Sequence, residues 1–511
     1  MTHPMTFARA RSVAVVGSGT AGLFAALALK RARPELRVAI VASKAIPVIG
    51  VGEATTPPIV AFLHGFLGID PAALFAAVRP TWKLGIRFEW GKGAFHYAFG
   101  GGDLGAAEVH DGHIRDYSLV SRLMTEGRGL VQRTVDGLRS HLATHRFAYH
   151  LDNAPVVAFL ERVAAERGIE ATEGTVVGAQ RDDLGGVESL RLADGRVLAF
   201  DAWVDASGFR SQLLGETLGA PFDSYASSLL CDTAVVGNAP ATAPAPFTRA
   251  TTMQAGWCWT IPMREEDHLG YVFASSFLSP EAAELELRTR FPIAGPTRVV
   301  RFRSGRRADA IRGNVAAIGN AYGFVEPLES TALHMAIATA LRLAALATGA
   351  STDASAVSRE LGEQWDYLRG FLAVHYRFNG LVDSPFWRHC RAEVDLATLA
   401  PGVDDYRSGV LFTQRPPPPY VRDTVFGARG LDLLLLGQGV QPGSLVPEIA
   451  VAPWRARQRG WDAVLPTMLP HGDALAACSA DPRLLALDGW VKTMSDAMVS
   501  GVGTRDERSF A

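Results

Sequence analysis

The chain has 511 residues, of which 48% are hydrophobic and 20% are charged, a balance typical of a globular protein with a large core. Its formal net charge of −2 offers no electrostatic basis for binding nucleic acid. The longest apolar run, residues 13–29, contains three glycines, so it predicts a strand, a turn and a helix instead of a membrane span. The four cysteines have neither metal-ligand spacing nor a disulfide pattern, and we expect no signal peptide, so the sequence predicts a cytoplasmic protein.

A glycine motif stands near the start of the chain. Residues 12–17 are apolar and β-branched and predict a strand; the sequence Gly-Ser-Gly-Thr-Ala-Gly at 17–22 leads from it into a helix predicted over 23–33. In this spacing the glycines allow a tight turn, a close approach to a pyrophosphate and close helix packing, and the helix N-terminus attracts the anion. The motif therefore predicts dinucleotide binding. The residues expected to contact the cofactor are Gly17, Gly19, Thr20, Ala21 and Gly22.

The second strand, predicted over residues 37–41, lacks the acidic residue that commonly binds the ribose of a dinucleotide. Ala42 occupies that place, and Ser43 is the nearest hydroxyl that could take over part of the contact. This departure weakens the case for NAD and leaves the adenosine ribose of an FAD without a predicted partner.

Two short stretches follow that are ambiguous when taken alone. Residues 49–58 contain two glycines and two prolines and predict an irregular loop, and residues 82–86 are Trp-Lys-Leu-Gly-Ile. Lys83 could be an ordinary lysine whose stem packs while its charged head reaches water, and Glu53 could be a loop carboxylate or helix cap. Residues 88–99 carry five aromatic side chains, which suit either a core strand pair or one wall of an aromatic substrate pocket.

The middle of the chain predicts mixed, partly helical structure over residues 111–153, a helix over 160–167, and short strands over 176–204 with a turn from Asp183. Asp-Ala-Ser-Gly at 205–208 then ends a strand in a turn, a pattern common where flavoprotein chains return to the cofactor.

Two later motifs carry more information. Gly-Trp-Cys-Trp-Thr-Ile-Pro at residues 256–262 places two indoles on the same side of a strand, although a tryptophan pair that only fills the core is the alternative. Residues 314–321 predict a strand and turn, and Gly-Phe-Val-Glu-Pro-Leu-Glu-Ser-Thr-Ala at 323–332 leads into a helix. The amides at that helix start form a candidate anion site. Alanine at 332 would resist a positive φ there.

The remainder of the chain is predominantly helical in pattern, over residues 333–347, 355–378, 385–399, 431–438, 448–465 and 481–499. Residues 415–420, an arginine, four prolines and a tyrosine, predict a stiff polyproline loop. We expect residues 1–345 to form an FAD-binding module with an interleaved β-sheet substrate region, and 346–511 a mainly helical subdomain that caps the substrate. His375, Tyr376 and Trp387 are candidates for the border of the pocket.

Five spaced motifs between residues 12 and 390 together resemble the flavin-dependent halogenases of the tryptophan halogenase family. They are the glycine motif, Gly-Glu-Ala-Thr at 52–55, the lysine motif at 82–86, Trp-x-Trp-x-Ile-Pro at 257–262 and Pro-Leu-Glu-Ser-Thr at 327–331. The resemblance implies a mixed α/β, Rossmann-like flavoprotein monooxygenase/halogenase fold with a helical C-terminal part. It also implies FAD, used as FADH2, and chloride or bromide as co-substrate.

The resemblance further implies roles for residues of this chain. Halide held near Thr331 and Ala332 would be oxidised to hypohalous acid and relayed to Lys83, and Glu329 would enhance the electrophile or take the ring proton. Glu326 is the alternative carboxylate, and motif position favours Glu329. The expected substrate pocket is Tyr97, Phe99, Trp257 and Trp259, with the two indoles keeping the arene away from the flavin. The further cofactor contacts implied are Gly52, Glu53, Ala54, Thr55, Asp205, Gly319, Asn320 and Pro327. Asn320 and Ala332 depart from the Asp and Gly usual in the family.

The resemblance leaves the arene open among an indole, a phenol, a pyrrole and a larger natural product, as in antibiotic biosynthesis. Residues 430–439 lack the tyrosine pair with which free-tryptophan halogenases grip the amino acid, which disfavours free tryptophan. Because no second glycine-rich nucleotide motif is present, we expect a separate NAD(P)H-dependent flavin reductase as partner. A homodimer is compatible with the sequence. The alternatives are an FAD-dependent aromatic monooxygenase and a catalytically silent flavin-binding protein.

Overall fold

The first strand, turn and helix lie where the glycine motif predicts them. The computed structural model describes residues 7–46, 52–100, 116–416, 426–443 and 451–502. Strand β1 (Ser12–Val16) leads into helix α1 (Thr20–Ala32) and then strand β2 (Arg37–Ala42). The helix begins three residues earlier than predicted, because Gly19 is extended and serves as its N-cap.

A largely parallel sheet surrounds β1. Among the described residues it contains six strands, which besides β1 and β2 are β10 (Glu170–Glu173), β14 (Ala202–Asp205), β22 (Ile311–Arg312) and β23 (Val315–Ala317). Their order is β10-β2-β1-β14-β23-β22, and only the β22–β23 pair is antiparallel. The carboxyl ends of β1, β14 and β23 therefore meet at one edge, where ligands bind in open α/β sheets.

A second, mostly antiparallel sheet carries the aromatic motifs. Its strands are β5 (Gly85–Trp90), β6 (Gly93–Ala98), β16 (Thr233–Pro240), β17 (Thr248–Met253), β18 (Gly256–Pro262), β19 (Glu266–Phe273) and β20 (Ala294–Arg301), in the order β20-β16-β19-β18-β17-β5-β6. Ala250 pairs with both Phe88 and Trp259, so these two side chains point to the same face of the sheet. By the same alternation Tyr97 and Trp257 share that face.

The remaining strands form small three-stranded sheets. They are β3 (Glu53–Ala54), β4 (Thr81–Lys83) and β9 (Ala148–Leu151); β7 (Arg128–Thr134), β8 (Gly137–Ser140) and β25 (Met468–Pro470); β11 (Val176–Arg181), β12 (Val187–Leu192) and β13 (Val197–Ala199); and β15 (Phe222–Ser224), β21 (Gly305–Arg307) and β24 (Gly323–Phe324). The helical pattern predicted over residues 111–153 is wrong for residues 128–151, which contain the strands β7, β8 and β9 and no helix. Strand β7 is stabilised by β25, a partner more than 300 residues away, which local pattern does not reveal.

Helices cover most of the rest of the described chain. They are α2 (Pro58–Val60), α3 (Pro71–Val78), α4 (Leu119–Thr125), α5 (Asn153–Glu166), α6 (Pro280–Arg290), α7 (Thr331–Thr348), α8 (Ala354–Arg377), α9 (Pro385–Glu393), α10 (Ala400–Arg407), α11 (Ala428–Gly437), α12 (Val451–Val464), α13 (His471–Ala480) and α14 (Trp490–Val502). A π-helix, Ala61–Phe66, continues α2. The helical C-terminal region is thus confirmed, with β25 as an unpredicted strand. Most of the predicted polyproline loop, and residues 49–51 of the earlier loop, lie outside the described residues.

Helix α7 is a core element that packs against α1. It is the one described unbroken helix whose length and composition would suit a membrane crossing, and 67% of it is buried inside the fold, as in core helices of soluble proteins. The helices at 58–66 and 71–78 reach that criterion only when taken together across a bend of 119°. The predicted division after residue 345 falls within α7, and it stays a prediction.

Candidate active site

One short segment, residues 326–331, connects the predicted functional groups. Pro327–Glu329 form a 3₁₀ turn, and Ser330 adopts the left-handed conformation (φ 58°, ψ 40°) before α7 begins at Thr331. The positive φ therefore falls on Ser330, whereas Ala332 is an ordinary helical residue. The expected difficulty with alanine at position 332 does not arise.

Lys83 is buried, with no exposed side-chain surface. It ends strand β4, and its Nζ donates a hydrogen bond of 2.6 Å to Ser330 Oγ and lies 5.5 Å from the ring centroid of Phe99. The alternative of a lysine whose head reaches water is therefore wrong. Burial lowers the pKa of Lys83 to about 7, and the charge of Glu329 opposes that shift. A neutral amine is thus well populated near neutral pH.

Glu329 is the carboxylate that acts on Lys83. It is buried, its charge raises the pKa of Lys83 and helps to raise that of Tyr97, and its Oε1 lies 2.9 Å from His375 Nε2. The other ring nitrogen, His375 Nδ1, lies 3.0 Å from the carbonyl of Phe371. Since a carbonyl only accepts, Nδ1 carries a hydrogen, and Nε2 is the ring nitrogen that faces Glu329. The amino-acid sequence had indicated His375 only as one of three candidates for the border of the pocket.

Glu326 points to a different place. Its Oε2 accepts a 2.8 Å hydrogen bond from Trp257 Nε1 and a second hydrogen bond from the hydroxyl of Tyr376. Burial raises the pKa of Glu326 to about 7, and the two donors oppose this shift. The two carboxylates, three residues apart, therefore contact different neighbours.

The predicted aromatic wall lies beside Lys83 and Glu329. Tyr97, on β6, is buried, and burial together with the charge of Glu329 raises its hydroxyl pKa well above the usual value. Phe99 directly follows this strand end and faces the Lys83 amine. The structure thus brings together residues 83, 97, 99 and 329, which are up to 246 positions apart in sequence.

Trp257 and Trp259 form a tilted pair on β18, with ring centroids 6.0 Å apart and ring planes at 58°. Both are buried, at 1% and 5% exposure. Trp259 lies across Gly270 of the neighbouring strand, where a Cβ atom would come within 1.9 Å of the indole. A glycine at 270 is therefore required for this ring position.

The glycine turn fits a dinucleotide. Gly17 has φ +117° and a Cβ there would lie 2.4 Å from the carbonyl oxygen of Ala206, and a Cβ on Gly22 would lie 2.2 Å from that of Gly17. Nothing lies within 4 Å of the corresponding position at Gly19, so the turn is open above its middle glycine. Gly19 caps α1 without a side-chain hydrogen bond, and the buried Thr20 hydroxyl has no partner among the described residues. Open amides and an orphaned hydroxyl suit the phosphates of an FAD.

The other predicted cofactor residues divide into two groups. Gly319 approaches the glycine turn closely, since a Cβ there would lie 2.8 Å from Cβ of Ala21. Asp205 and Thr55, in contrast, use their side chains inside the protein. Asp205 accepts from the amides of residues 207, 213 and 214, and the Thr55 hydroxyl donates to the Tyr149 carbonyl at 2.7 Å. Any contact of Asp205 or Thr55 with the cofactor would therefore have to come from the backbone.

The other predicted cofactor residues lie in and just before β3 and in the turn after β23. Gly52 (φ +74°) packs on His268, Glu53 and Ala54 form β3 beside β9, and Asn320 follows Gly319 in a 3₁₀ turn. Burial raises the pKa of Glu53 to about 7. At the start of α7 the side-chain cap is missing and the buried Thr331 hydroxyl has no partner among the described residues. This first turn keeps amides available for an anion.

The chain is similar to known proteins over most of its length. Residues 12–453 match the family profile described as tryptophan halogenase. The chain is 32% identical to tryptophan 7-halogenase RebH of Lentzea aerocolonigenes over 439 residues, which cover 78% of this chain and 82% of RebH. The solved structure of MibH, a lanthipeptide tryptophan 5-halogenase, is 43% identical with a TM-score of 0.90 and covers 97% of this chain and 99% of MibH. BrvH, a flavin-dependent halogenase from Brevundimonas sp. BAL3, is 29% identical with a TM-score of 0.79, covering 92% and 99%.

Proposed function

Because this chain belongs to the tryptophan halogenase family, we propose that it halogenates an aromatic ring by passing hypohalous acid to the Lys83 amine. The chain is thus an enzyme of the flavin-dependent halogenases, and the family implies FAD and a halide. The observation that supports the role of Lys83 is its buried Nζ, held 2.6 Å from Ser330 at the start of α7 and facing Phe99.

The cofactor and halide would be held by residues at the edge of the parallel sheet. Reduced FAD, when bound, supplies with O2 the oxidising equivalent that turns halide into hypohalous acid. The turns at residues 17–22, 52–55 and 319–320 would hold the cofactor, with Pro327 beside them. The uncapped amides at Thr331 and Ala332 would hold chloride or bromide.

Lys83 is suited to receive the oxidant because burial lowers its pKa to about 7. Its lone pair can take the halogen of hypohalous acid with release of water, or the ammonium form can hydrogen-bond the acid. Either form presents the electrophile to a ring that lies against Phe99 and Tyr97. Glu329 takes the proton that the ring loses and returns it to the amine nitrogen. His375 holds Glu329 in place for this transfer.

We propose a peptide-borne indole as the arene. Support comes from MibH, a lanthipeptide halogenase that is 43% identical over almost the whole chain. The segment compared above with the tyrosine-rich grip of free-tryptophan enzymes is here helix α11, whose Leu431 and Leu433–Leu436 are buried in the core. It presents no tyrosine to a free amino acid.

Reduced FAD would come from a separate NAD(P)H-dependent flavin reductase, because the chain has one glycine-rich nucleotide motif. We further propose that the enzyme works in the cytoplasm, and a homodimeric assembly stays a prediction.

One incubation tests the proposal. The purified protein receives FAD, a flavin reductase, NADH, O2 and bromide, together with free tryptophan, indole, a phenol or a short tryptophan-containing peptide, and products are weighed by mass spectrometry. We expect brominated peptide in excess over brominated tryptophan. Products heavier by one oxygen would instead identify a monooxygenase, and peroxide alone would identify a silent flavin-binding protein.

Replacing Lys83 by Ala tests the transfer of halogen through the lysine separately from the oxidation of FADH2. The variant should still oxidise FADH2 while losing bromination by at least about 100-fold, as expected when a transition-state group is removed. Retained bromination would remove Lys83 from its proposed role.

A further inference from the structure

We propose that Glu326 and Tyr376 are positioning residues that lock the indole of Trp257, so that the tryptophan pair stays closed as a barrier between flavin and arene. The inference rests on the proposed function and adds to it two residues that do not touch the reacting atoms. It explains why a second carboxylate stands three residues before Glu329.

The lock consists of buried hydrogen bonds. Trp257 Nε1 donates to Glu326 Oε2 at 2.8 Å, and the Tyr376 hydroxyl donates to the same oxygen. Trp257, Glu326 and Tyr376 are at most 1% exposed. A buried indole N–H has a single donor, and leaving it unpaired costs its desolvation energy, so the indole orientation is tied to Glu326.

Tyr376 cannot readily move away from this position. Its ring stacks on Trp387 at 5.6 Å with ring planes 19° apart, and Trp90 packs edge-on against it at 6.1 Å. Trp257 in turn packs on Trp259, whose own Nε1 has no hydrogen-bond partner among the described residues. Of the two indoles, Trp257 is therefore the one held by a hydrogen bond. The position of Trp259 depends on its packing against Trp257.

The lock and the relay lie on one rigid turn. Glu326 is the N-cap of the 3₁₀ turn that begins at Pro327 and ends at Glu329, and Ser330, which holds Lys83, follows directly. Proline fixes its own φ, so the directions of the residues on either side are coupled. Loss of the Glu326 contact should free the indole and let oxidant escape before it reaches Lys83.

The test compares Glu326→Leu, which removes the acceptor, with Glu326→Gln, which keeps an amide oxygen at the same place. Asp267→Asn serves as a control, because Asp267 is a buried carboxyl on β19, next to the strand of Trp257, and accepts from Thr242. Each variant receives FADH2, O2, bromide and the arene of the panel above that the wild type brominates fastest. We expect Glu326→Leu to lower brominated product per FADH2 by about 10-fold, the size expected for leaving one buried donor unpaired, with peroxide or oxygenated arene rising instead. Glu326→Gln and Asp267→Asn should keep the wild-type ratio.

A second readout needs neither cofactor nor arene. In protein carrying ¹⁵N-labelled tryptophan, the Trp257 indole resonance, identified by its loss in Trp257→Phe, should shift in Glu326→Leu and in Tyr376→Phe. Adding Glu326→Leu to Trp257→Phe should not change the product ratio further, because both changes break the same bond.

The outcomes separate the inference from the function it rests on. A wild type that brominates no arene contradicts the proposed function, while the indole resonance still decides whether the lock exists. An active wild type whose product ratio is unchanged in Glu326→Leu overturns the inference alone, as does an unshifted indole resonance. If Glu326→Leu does not fold, the product ratio and the Trp257 indole resonance of Tyr376→Phe decide whether the inference holds.

Discussion

At the scale of single residues, burial sets the chemistry of the site. An exposed lysine is an ammonium at neutral pH, whereas Lys83, with no exposed surface, has its pKa lowered to about 7. A group with such a value can exchange protons and accept halogen under physiological conditions. The neighbouring carboxylate of Glu329 restrains the shift, so the reactive form depends on how firmly that carboxylate is held elsewhere.

The burial of Lys83 predicts a pH-dependent cost of folding. Its folded pKa lies below the unfolded value, so the unfolded chain binds more protons between about pH 7 and 10, and wild-type stability gains from rising pH in this window. Lys83→Met should remove this gain, on the order of 3–4 kcal/mol, as read from unfolding midpoints at pH 7 and 10. Lys492→Met, at a side chain 74% exposed, is the control and should leave the pH slope unchanged. Equal slopes for wild type and Lys83→Met would contradict the buried assignment.

His375 predicts a second test at this scale. His375→Phe leaves Glu329 without its partner at 2.9 Å and should lower the bromination rate about 10- to 100-fold with FADH2 oxidation retained. His375→Gln can still donate to the carboxylate and should recover part of that loss. A structural role alone would make the two variants equal, or would lower FADH2 oxidation along with bromination. Single-turnover rates with matched thermal melts distinguish these cases.

At the scale of elements, strand β10 places a carboxylate beside the end of β2, which has no acidic residue of its own. The missing acid at the end of β2 has a counterpart on β10, where Glu173 pairs with Ala42 in parallel register and accepts from the Lys44 amide at 3.0 Å. Ser43, the substitute suggested by sequence, uses its hydroxyl in a local turn with Ala45. Paired residues of parallel strands point to the same side, so Glu173 comes to the place where a ribose carboxylate is expected.

Glu173 should therefore contribute to FAD affinity. We expect Glu173→Gln to weaken FAD binding about 10-fold in a calorimetric or fluorescence titration, the loss typical of a hydrogen bond to a charged acceptor. Glu170→Gln is the matched control on the same strand, because Glu170 pairs with exposed Arg37 at the other end. Equal affinities of both variants and the wild type would exclude Glu173 from the site.

At the scale of the whole molecule, the C-terminal part is tied into the first part by long-range contacts. Strand β25 completes the sheet of β7 and β8, and α14 packs against the π-helix at 61–66, where a Cβ on Gly65 would lie 2.4 Å from Ser495. Helix α8 carries His375 and Tyr376 to the turn that carries Glu329 and Glu326. The geometry of the proposed site therefore depends on both parts of the chain.

A chain that ends at residue 345 should not fold on its own. It would expose the faces of β7, β6 and the π-helix at 61–66 that the C-terminal helices cover, and its last helix would be cut before Thr348. We expect no cooperative thermal transition for residues 1–345 and a single one for the full chain, measured by circular dichroism. A cooperative transition in the shorter chain would support the predicted division after residue 345.

Several features were predictable because they depend on local pattern. The glycine turn, the alternation that aligns Trp257 with Trp259, and the helices that begin near residues 333, 355 and 385 each follow from a few neighbouring residues. The strands between residues 128 and 151 were not, because the partner of β7 comes from residues 468–470. The partners of His375 and Tyr376 were not predictable either, because they lie 46 and 50 positions away in the chain, outside the helix that carries both residues.

The amino-acid sequence by itself determined the family, the mixed α/β fold class, and the two residues, Lys83 and Glu329, on which the proposed reaction depends. Only the tertiary structure decided that Glu329 faces Lys83 while Glu326 holds Trp257, that Ala332 is helical because Ser330 takes the positive φ, and that Glu173 stands beside Ala42. The physical reason is range. Propensity and periodicity act between close neighbours, whereas burial, hydrogen-bond partners and lowered or raised pKa values arise only where distant segments exclude water together.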